Sequence, residues 1–132
     1  MNLTDPISDM LTRIRNASQA GLETVDMPHS KMKGEVSRVL KREGFIRDYV
    51  VEGGSSKKLL RIYLKYTEDQ EPVIRNLKRK SKPGLRLYSG ARKMPKVMSG
   101  MGVIILTTPL GVMTGKEAQK RGVGGEIICT VW

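Results

Sequence analysis

FIRDYVVEGGSSKKLLRIYLKY, residues 45–66, reads as two strands folded about a turn. Residues 45–52 and 57–66 are rich in aromatic, β-branched and leucine side chains, and Gly53-Gly54-Ser55-Ser56 between them is a hairpin signal. In the second strand Leu60, Ile62, Leu64 and Tyr66 alternate with Leu59, Arg61, Tyr63 and Lys65, the period-two pattern of a strand with one face turned inward. Two helices precede the hairpin. Asp5 can cap the first, Pro6 sits at its first position, and Asp9 places negative charge at the positive end of the dipole. Ile7, Met10, Leu11, Ile14 and Ala17 recur on one face, Arg13 and Arg15 point towards solvent or a partner, and Gly21 terminates the helix. Residues 22–27 form a short strand closed by Pro28. Ser30 caps a second helix with Met32, Val36, Val39 and Leu40 inward, ending at Gly44. The first half is therefore α-β-α-β-β, a sheet backed by two helices.

Downstream, residues 67–72 (TEDQEP) are polar, acidic and ended by proline. They divide an N-terminal α/β domain, 1–66, from a mainly β domain, 73–132, with 67–72 as linker. Residues 73–80 and 85–89 read as another hairpin about Ser81-Lys82-Pro83-Gly84, and 95–99 as one helical turn. An apolar strand at 103–108 and an extended piece at 111–113 follow. Thr114-Gly115-Lys116-Glu117 matches a capping box for a short helix ending at Gly122, before a last strand at 126–132. The class is α+β, with a mostly β second half carrying one short helix.

Charge narrows the function. The 132 residues carry a formal +11, and residues 75–96 hold nine Lys/Arg (Arg75, Lys78, Arg79, Lys80, Lys82, Arg86, Arg92, Lys93, Lys96) and no acid. Such self-repulsion opposes compaction, and a polyphosphate partner converts it to attraction by releasing condensed counterions. Acidic lipid is disfavoured because these cations do not line a helix with a large apolar face, and no apolar run approaches the ~20 residues of a membrane span. The sequence opens without a signal-peptide pattern, and one cysteine, Cys129, has no partner for a disulfide, so a cytosolic compartment is expected. Cys129 lies in an apolar strand and His29 has no evident partner. Gly100-Met101-Gly102 precedes a strand, where a dinucleotide loop would follow one. No cofactor and no catalytic constellation is expected. With only 5% aromatics and none of the paired aromatic motifs of single-strand readers, folded double-stranded RNA with a local irregularity is the expected ligand, and neither DNA nor a membrane. An RNA-acting enzyme or accessory factor is the alternative reading.

The loop Leu106-Thr107-Thr108-Pro109-Leu110-Gly111 is the leading candidate contact, because two hydroxyls at a strand end can reach a base edge or ribose. The same hydroxyls can instead bond their own turn. Gly124-Gly125-Glu126 is the second: two glycines let a backbone approach something closely, and Glu126 can accept from an exposed amine, or the glycines simply make a tight turn. Tyr88, closing a basic strand, can stack on a base or sit half-buried in a sheet. Lys31 and Lys33 flank a helix N-terminus, where free N–H groups also favour phosphate.

These same residues resemble the S-eight family of small-subunit ribosomal proteins. Gly102-x-x-Ile105-Leu106-Thr107-Thr108-x-x-Gly111-Val112-Met113 with Ala118 is similar to its signature. So are Asp5-Pro6-Ile7 with Leu11-Thr12-Arg13-Ile14-Arg15-Asn16, Lys41-Arg42-Glu43-Gly44-Phe45-Ile46, Ser81-Lys82-Pro83-Gly84-Leu85-Arg86 and Gly124-Gly125-Glu126, in order along the chain. The resemblance implies a structural component of the small ribosomal subunit and a primary binder of the 16S rRNA central domain, needed early in assembly. In some bacteria it also implies repression of translation of the family's own operon. It implies that the C-terminal half supplies most RNA contacts, here Thr107, Thr108, Pro109, Gly124, Gly125, Glu126, Tyr88, Arg86 and Lys82. The N-terminal half would touch a second rRNA helix through Thr4, Asp5, Pro6, Arg13, Arg15, Ser30 and Lys31. The fifth small-subunit protein is the implied protein neighbour. The family's Ser-Thr-Ser loop falls on Thr107, Thr108 and Pro109, so the third position has lost a hydroxyl and an N–H. Leu110 and Gln119 replace residues that are usually polar or basic. Thr107 and the loop backbone are therefore expected to carry more of the contact.

Overall fold

A computed structural model describes residues 5–54, 56–96 and 100–132. The expected site residue Thr4 and the expected turn residues Val97, Met98 and Ser99 lie outside them. The chain divides into two compact units, Ile7–Arg75 and Asn76–Trp132, the latter together with Asp5 and Pro6. The class is α+β, with three α-helices and two antiparallel sheets among the described residues. No helix among the described residues is long and apolar enough to cross a membrane.

In the first unit, helix α1 runs Pro6–Gln19 and buries Ile7, Met10, Leu11, Ile14 and Ala17, the expected stripe. It ends in a left-handed glycine: the Gly21 N–H donates to Ser18 and the Leu22 N–H to Ala17, satisfying carbonyls the helix leaves open. Strand β1 (Thr24–Pro28), helix α2 (Lys31–Arg42), and strands β2 (Ile46–Gly53) and β3 (Lys58–Leu64) follow. The sheet order is β1-β3-β2, with β3 central. Leu60, Ile62 and Leu64 are buried as their alternation requires, and each such side chain removed from water contributes about 1.5–3 kcal/mol. The opposite face is charged: Arg61 meets Asp26 at 2.8 Å and Glu52 at 3.5 Å, and Arg47 lies over the Tyr63 ring. Residues 67–72 form a hydrogen-bonded turn, with the Thr67 N–H donating to Glu71 and a bridge joining Tyr66 to Pro72.

One inward position of α2 differs from expectation. Lys33 is buried, with its ammonium donating to the Pro28 carbonyl at 3.1 Å, while Met32 is only half-buried. A lysine stem can cover apolar surface when its charge finds an oxygen.

The second unit contains β4 (Leu77–Arg79), β5 (Tyr88–Ser89), β6 (Val103–Thr108), β7 (Gly111–Thr114), helix α3 (Gly115–Arg121) and β8 (Gly125–Val131). Strand β8 is central, with β6 along one edge and β7 beyond it. The expected hairpin of 73–80 with 85–89 is not formed. Strands β4 and β5 both pair with β8: Leu77–Arg79 against its end at Cys129–Val131, and Tyr88–Ser89 against Gly125 and Glu126. Lys80 and Ser81 continue the ladder by donating to Ile128 and Ile127, and a tight turn closed between Lys82 and Leu85 then bulges out. The segment is one interrupted strand, because the free edge of the apolar β8 offers more hydrogen bonds and burial than a hairpin of basic strands facing each other. A 3-10 turn forms at Ala91–Lys93, and most of the expected turn at 95–99 lies outside the described residues. Helix α3 starts as expected: Thr114 Oγ1 accepts from the Glu117 N–H, and Gly122 closes it in the left-handed region. Ala118 of α3 forms one buried cluster with Ile104, Leu106, Met113 and Ile127, with Met94 and Val123 against them.

Candidate functional site

The site residues are brought together by register. Tyr88 pairs with Glu126 across β5 and β8, and Glu126 pairs with Thr107 across β8 and β6. Partners in an antiparallel ladder project to the same face, so three strands set Tyr88, Glu126 and Thr107 in one row. Next to the row, the glycines explain themselves. A Cβ on Gly125 would stand 1.9 Å from the Thr107 carbonyl oxygen, and one on Gly124 2.3 Å from that of Ser89. The close approach they permit is between strands of this protein, which brings the ends of β5, β6 and β8 into contact.

The two threonines differ. Thr108 Oγ1 donates to the Gly111 carbonyl at 2.8 Å and accepts from the Leu110 N–H at 3.1 Å, so its hydroxyl holds the β6–β7 turn. Thr107, half-buried, has no hydrogen-bond partner for its hydroxyl among the described residues. Pro109 and Leu110 are exposed at the turn's tip. Tyr88 is 70% exposed, with one ring face open to solvent-side stacking.

Glu126 is fixed in place. Its Oε2 accepts from the Ser81 hydroxyl and from Arg86 Nη1 at 2.9 Å. Ser81, itself fully buried, also accepts from the Leu87 N–H at 3.2 Å, so one hydroxyl ties the start of the Lys82–Leu85 bulge to its return. Partial burial pushes the Glu126 carboxyl up, but the hydrogen bonds from Ser81 and Arg86 and the charges of Arg86 and Arg79 outweigh it, leaving the value below the usual glutamate range. It is an anion with an oriented Oε1 edge. Lys82 is exposed on the bulge.

The sequence marks Ser81 as the start of a turn and of a family-like motif, and its part in holding Glu126 depends on a residue far along the chain. Arg79 is the other surprise. Among the nine cations of 75–96 it is internal, bound to Asp5 at 2.9 Å and to the Ile128 carbonyl. The basic run is thus not a single free surface: Arg75 is paired with Glu71, Arg79 with Asp5 and Arg86 with Glu126. Lys78 alternates with Arg79 along β4 and so projects from the opposite face of the sheet.

In the N-terminal group, Asp5 is spent on Arg79 and Pro6 opens α1. In the unit Ile7–Arg75, Arg13 is bound to Asp9 at 2.9 Å and to the Asp26 carbonyl, Arg15 is half-buried, Ser30 caps α2 by accepting from the Lys33 N–H, and Lys31 is exposed. Cys129 is fully buried and its thiol is pushed up to about 12 by desolvation, leaving it un-ionised at neutral pH. No group of His, Cys, Asp and Glu among the described residues could hold a metal ion.

Fold and site define a class: a small, basic α+β protein that presents a fixed row of polar and aromatic side chains at one end of an antiparallel sheet. The chain belongs to the ribosomal protein S8 family, whose model matches residues 5–132. It is 54% identical to the small ribosomal subunit protein uS8 of Geobacter metallireducens over all 132 residues, covering the whole of both chains. It is 53% identical to that of Solibacter usitatus over 129 residues, 98% of each chain, and 52% identical to that of Geobacillus kaustophilus over the full length of both.

Proposed function

We propose that this protein is a non-enzymatic structural component of the cytoplasmic small ribosomal subunit that binds the central domain of 16S rRNA through the row Thr107–Glu126–Tyr88. The observation that carries this reading is the row itself: three strands converge, through glycines that exclude any side chain, to hold a free hydroxyl, an oriented carboxylate and an exposed aromatic ring on one face. Thr107 reaches a ribose or base edge, Glu126 accepts from an exposed exocyclic amine, and Tyr88 stacks on an unpaired base. This is how irregular folded RNA is read. Pro109 shapes the turn without a hydrogen bond, Gly124 and Gly125 act by making the convergence possible, and Thr108 acts by holding the loop. Arg86 orients Glu126, and Lys82 meets phosphate. Thr4, Asp5, Pro6, Arg13, Arg15, Ser30 and Lys31 belong to a second contact with another rRNA helix, the fifth small-subunit protein is the neighbour, and the protein represses its own messenger through a similar stem.

Binding of a central-domain fragment of 16S rRNA, by filter retention and footprinting, tests this. Thr107→Val keeps the shape of the side chain and should weaken binding roughly tenfold, the worth of one hydrogen bond left unmade. Wild-type affinity in that variant would defeat the reading. With about five phosphates neutralised, log affinity should fall with log salt at a slope near −4, if duplex behaviour transfers.

A further inference from the structure

On the face of the five-stranded sheet opposite the Thr107–Glu126–Tyr88 row lies a cleft of about 400 Å³, within the second unit. The faces follow from register. Ile104 and Lys78 both pair with Thr130, and a bulge in β8 between Cys129 and Ile127 shifts its alternation by one, so that Thr107, Glu126 and Tyr88 share the other face. The floor is aliphatic, made by Leu87, Ile104 and Ile127. Three lysines, Lys78, Lys80 and Lys96, are among its lining residues, and no lining side chain is acidic. None of the three lysines has an ion-pair partner among the described residues, in contrast to Arg79, Arg86 and Arg121 of the same unit.

From this geometry we infer that the cleft is a docking site for an extended segment of another protein in which apolar side chains alternate with carboxylates. The volume lies near the lower end of the roughly 300–1,000 Å³ range of ligand pockets and accepts one or two aliphatic side chains. An extended segment with acids at every second position would send its carboxylates to the lysines and its apolar groups to the floor, matching charge to charge and burying apolar area. A flipped nucleobase fits less well. Apart from the lysines, the lining side chains that can hydrogen-bond are the Trp132 indole, a donor only, and the Thr130 hydroxyl, which is buried. The amine donors of a base edge inserted there would find only that hydroxyl as a side-chain acceptor, whereas carboxylates need only donors.

Trp132 lines the cleft and is the only tryptophan of the sequence, so its fluorescence reports occupancy without a label. The full-length protein is titrated with the acetylated, amidated peptide Glu-Leu-Asp-Leu-Glu, with Lys-Leu-Lys-Leu-Lys, and with a six-residue oligouridylate. The expected result is a saturable shift with the acidic peptide only, weakened tenfold or more in Lys78→Glu/Lys80→Glu/Lys96→Glu and in Leu87→Asp. Circular dichroism of each variant establishes that it is folded, and Lys78→Arg, which keeps the charge, should bind like wild type. No shift with the acidic peptide, an equal shift in the charge-reversed variant, or a stronger shift with the oligouridylate that needs the same lysines would overturn the inference. Rejection here leaves the Thr107 face untouched, because the Thr107→Val experiment reads a different surface.

Discussion

On and beside the three-stranded sheet, three cations are clamped, Lys41 of α2 among them. Arg61 is held by Asp26 and Glu52, Arg47 by Glu23, and Lys41 by Asp48. On the five-stranded sheet, Lys78 and Lys80 find no acid among the described residues, and neither does Lys82 on the bulge. Composition underlies the contrast. Residues 7–75 carry thirteen Lys/Arg against ten acids, and residues 76–132 carry eleven against only Glu117 and Glu126. The first unit can balance most of its charge internally, and the second has too few acids to do so and leaves lysines for something else. What the second does spend internally is spent on position: Arg79 on Asp5, Arg86 and Ser81 on Glu126, and two glycines on bringing three strand ends together.

The contrast can be broken most sharply at those glycines. Gly125→Ala places a Cβ 1.9 Å from a backbone oxygen that is itself locked in a ladder, so the strands must separate. The expected loss is at least about 3 kcal/mol in urea unfolding, the range of mutations that break packing or backbone geometry. Gly90→Ala is the matched control: nothing lies within 4 Å of its Cβ and its φ is ordinary, so stability should change by less than about 0.5 kcal/mol. Equal losses at the two positions would mean that the convergence at Gly125 has no special role.

These glycines also mark the limit of what was legible in the chain. The α1 stripe, the α2 stripe apart from Met32 and Lys33, the hairpin at 45–66, the Thr114 cap and the apolar strands at 103–108 and 126–132 follow from periodicity and turn chemistry, which are local. Residues 77–89 differ from the expected hairpin because Ser81-Lys82-Pro83-Gly84 is as good a turn for a bulge as for a hairpin. The choice was made by the free edge of β8, some forty residues on. Likewise Gly124 and Gly125 announced a close approach without saying to what, Thr107 and Thr108 were indistinguishable until one hydroxyl was seen bonded to its own turn, and nothing local showed that Arg79 turns inward while Lys78 does not.

A second pair of substitutions compares the ion pairs themselves. Arg79 and Asp5 retain only 11% and 17% of their side-chain exposure, and Arg79 also serves the Ile128 carbonyl. Arg79→Met removes a guanidinium from a nearly buried carboxylate and a donor from the Ile128 carbonyl, and should cost about 3 kcal/mol. Arg61→Met removes partners from Asp26 and Glu52, which are both wet, and should cost about 1 kcal/mol or less. Thermal unfolding of the two variants reads the difference. A larger loss at Arg61 would reverse the assignment of clamped surface and structural interior.

The smallest effect, and the finest comparison, concerns two carboxylates held below their usual range, Asp26 by its hydrogen bond and charge contact with Arg61, and Glu126 by Ser81 and Arg86 against the upward push of burial. For both, the folded protein binds the proton less readily than the unfolded chain. Each therefore adds stability that is fully present above the ordinary carboxylate value and is lost as pH falls through the lower folded value. Stability measured from pH 6 down to pH 3 should fall less steeply in Asp26→Asn and in Glu126→Gln than in the wild type. Salt separates them: Asp26 is 43% exposed and its share should fade in 1 M salt, where the Debye length is about 3 Å. Glu126 is 20% exposed and bonded to a buried hydroxyl, so its share should persist. If salt erased both equally, Glu126 would be a surface ion like the others, and the fixed acceptor on the Thr107 face would have to be abandoned.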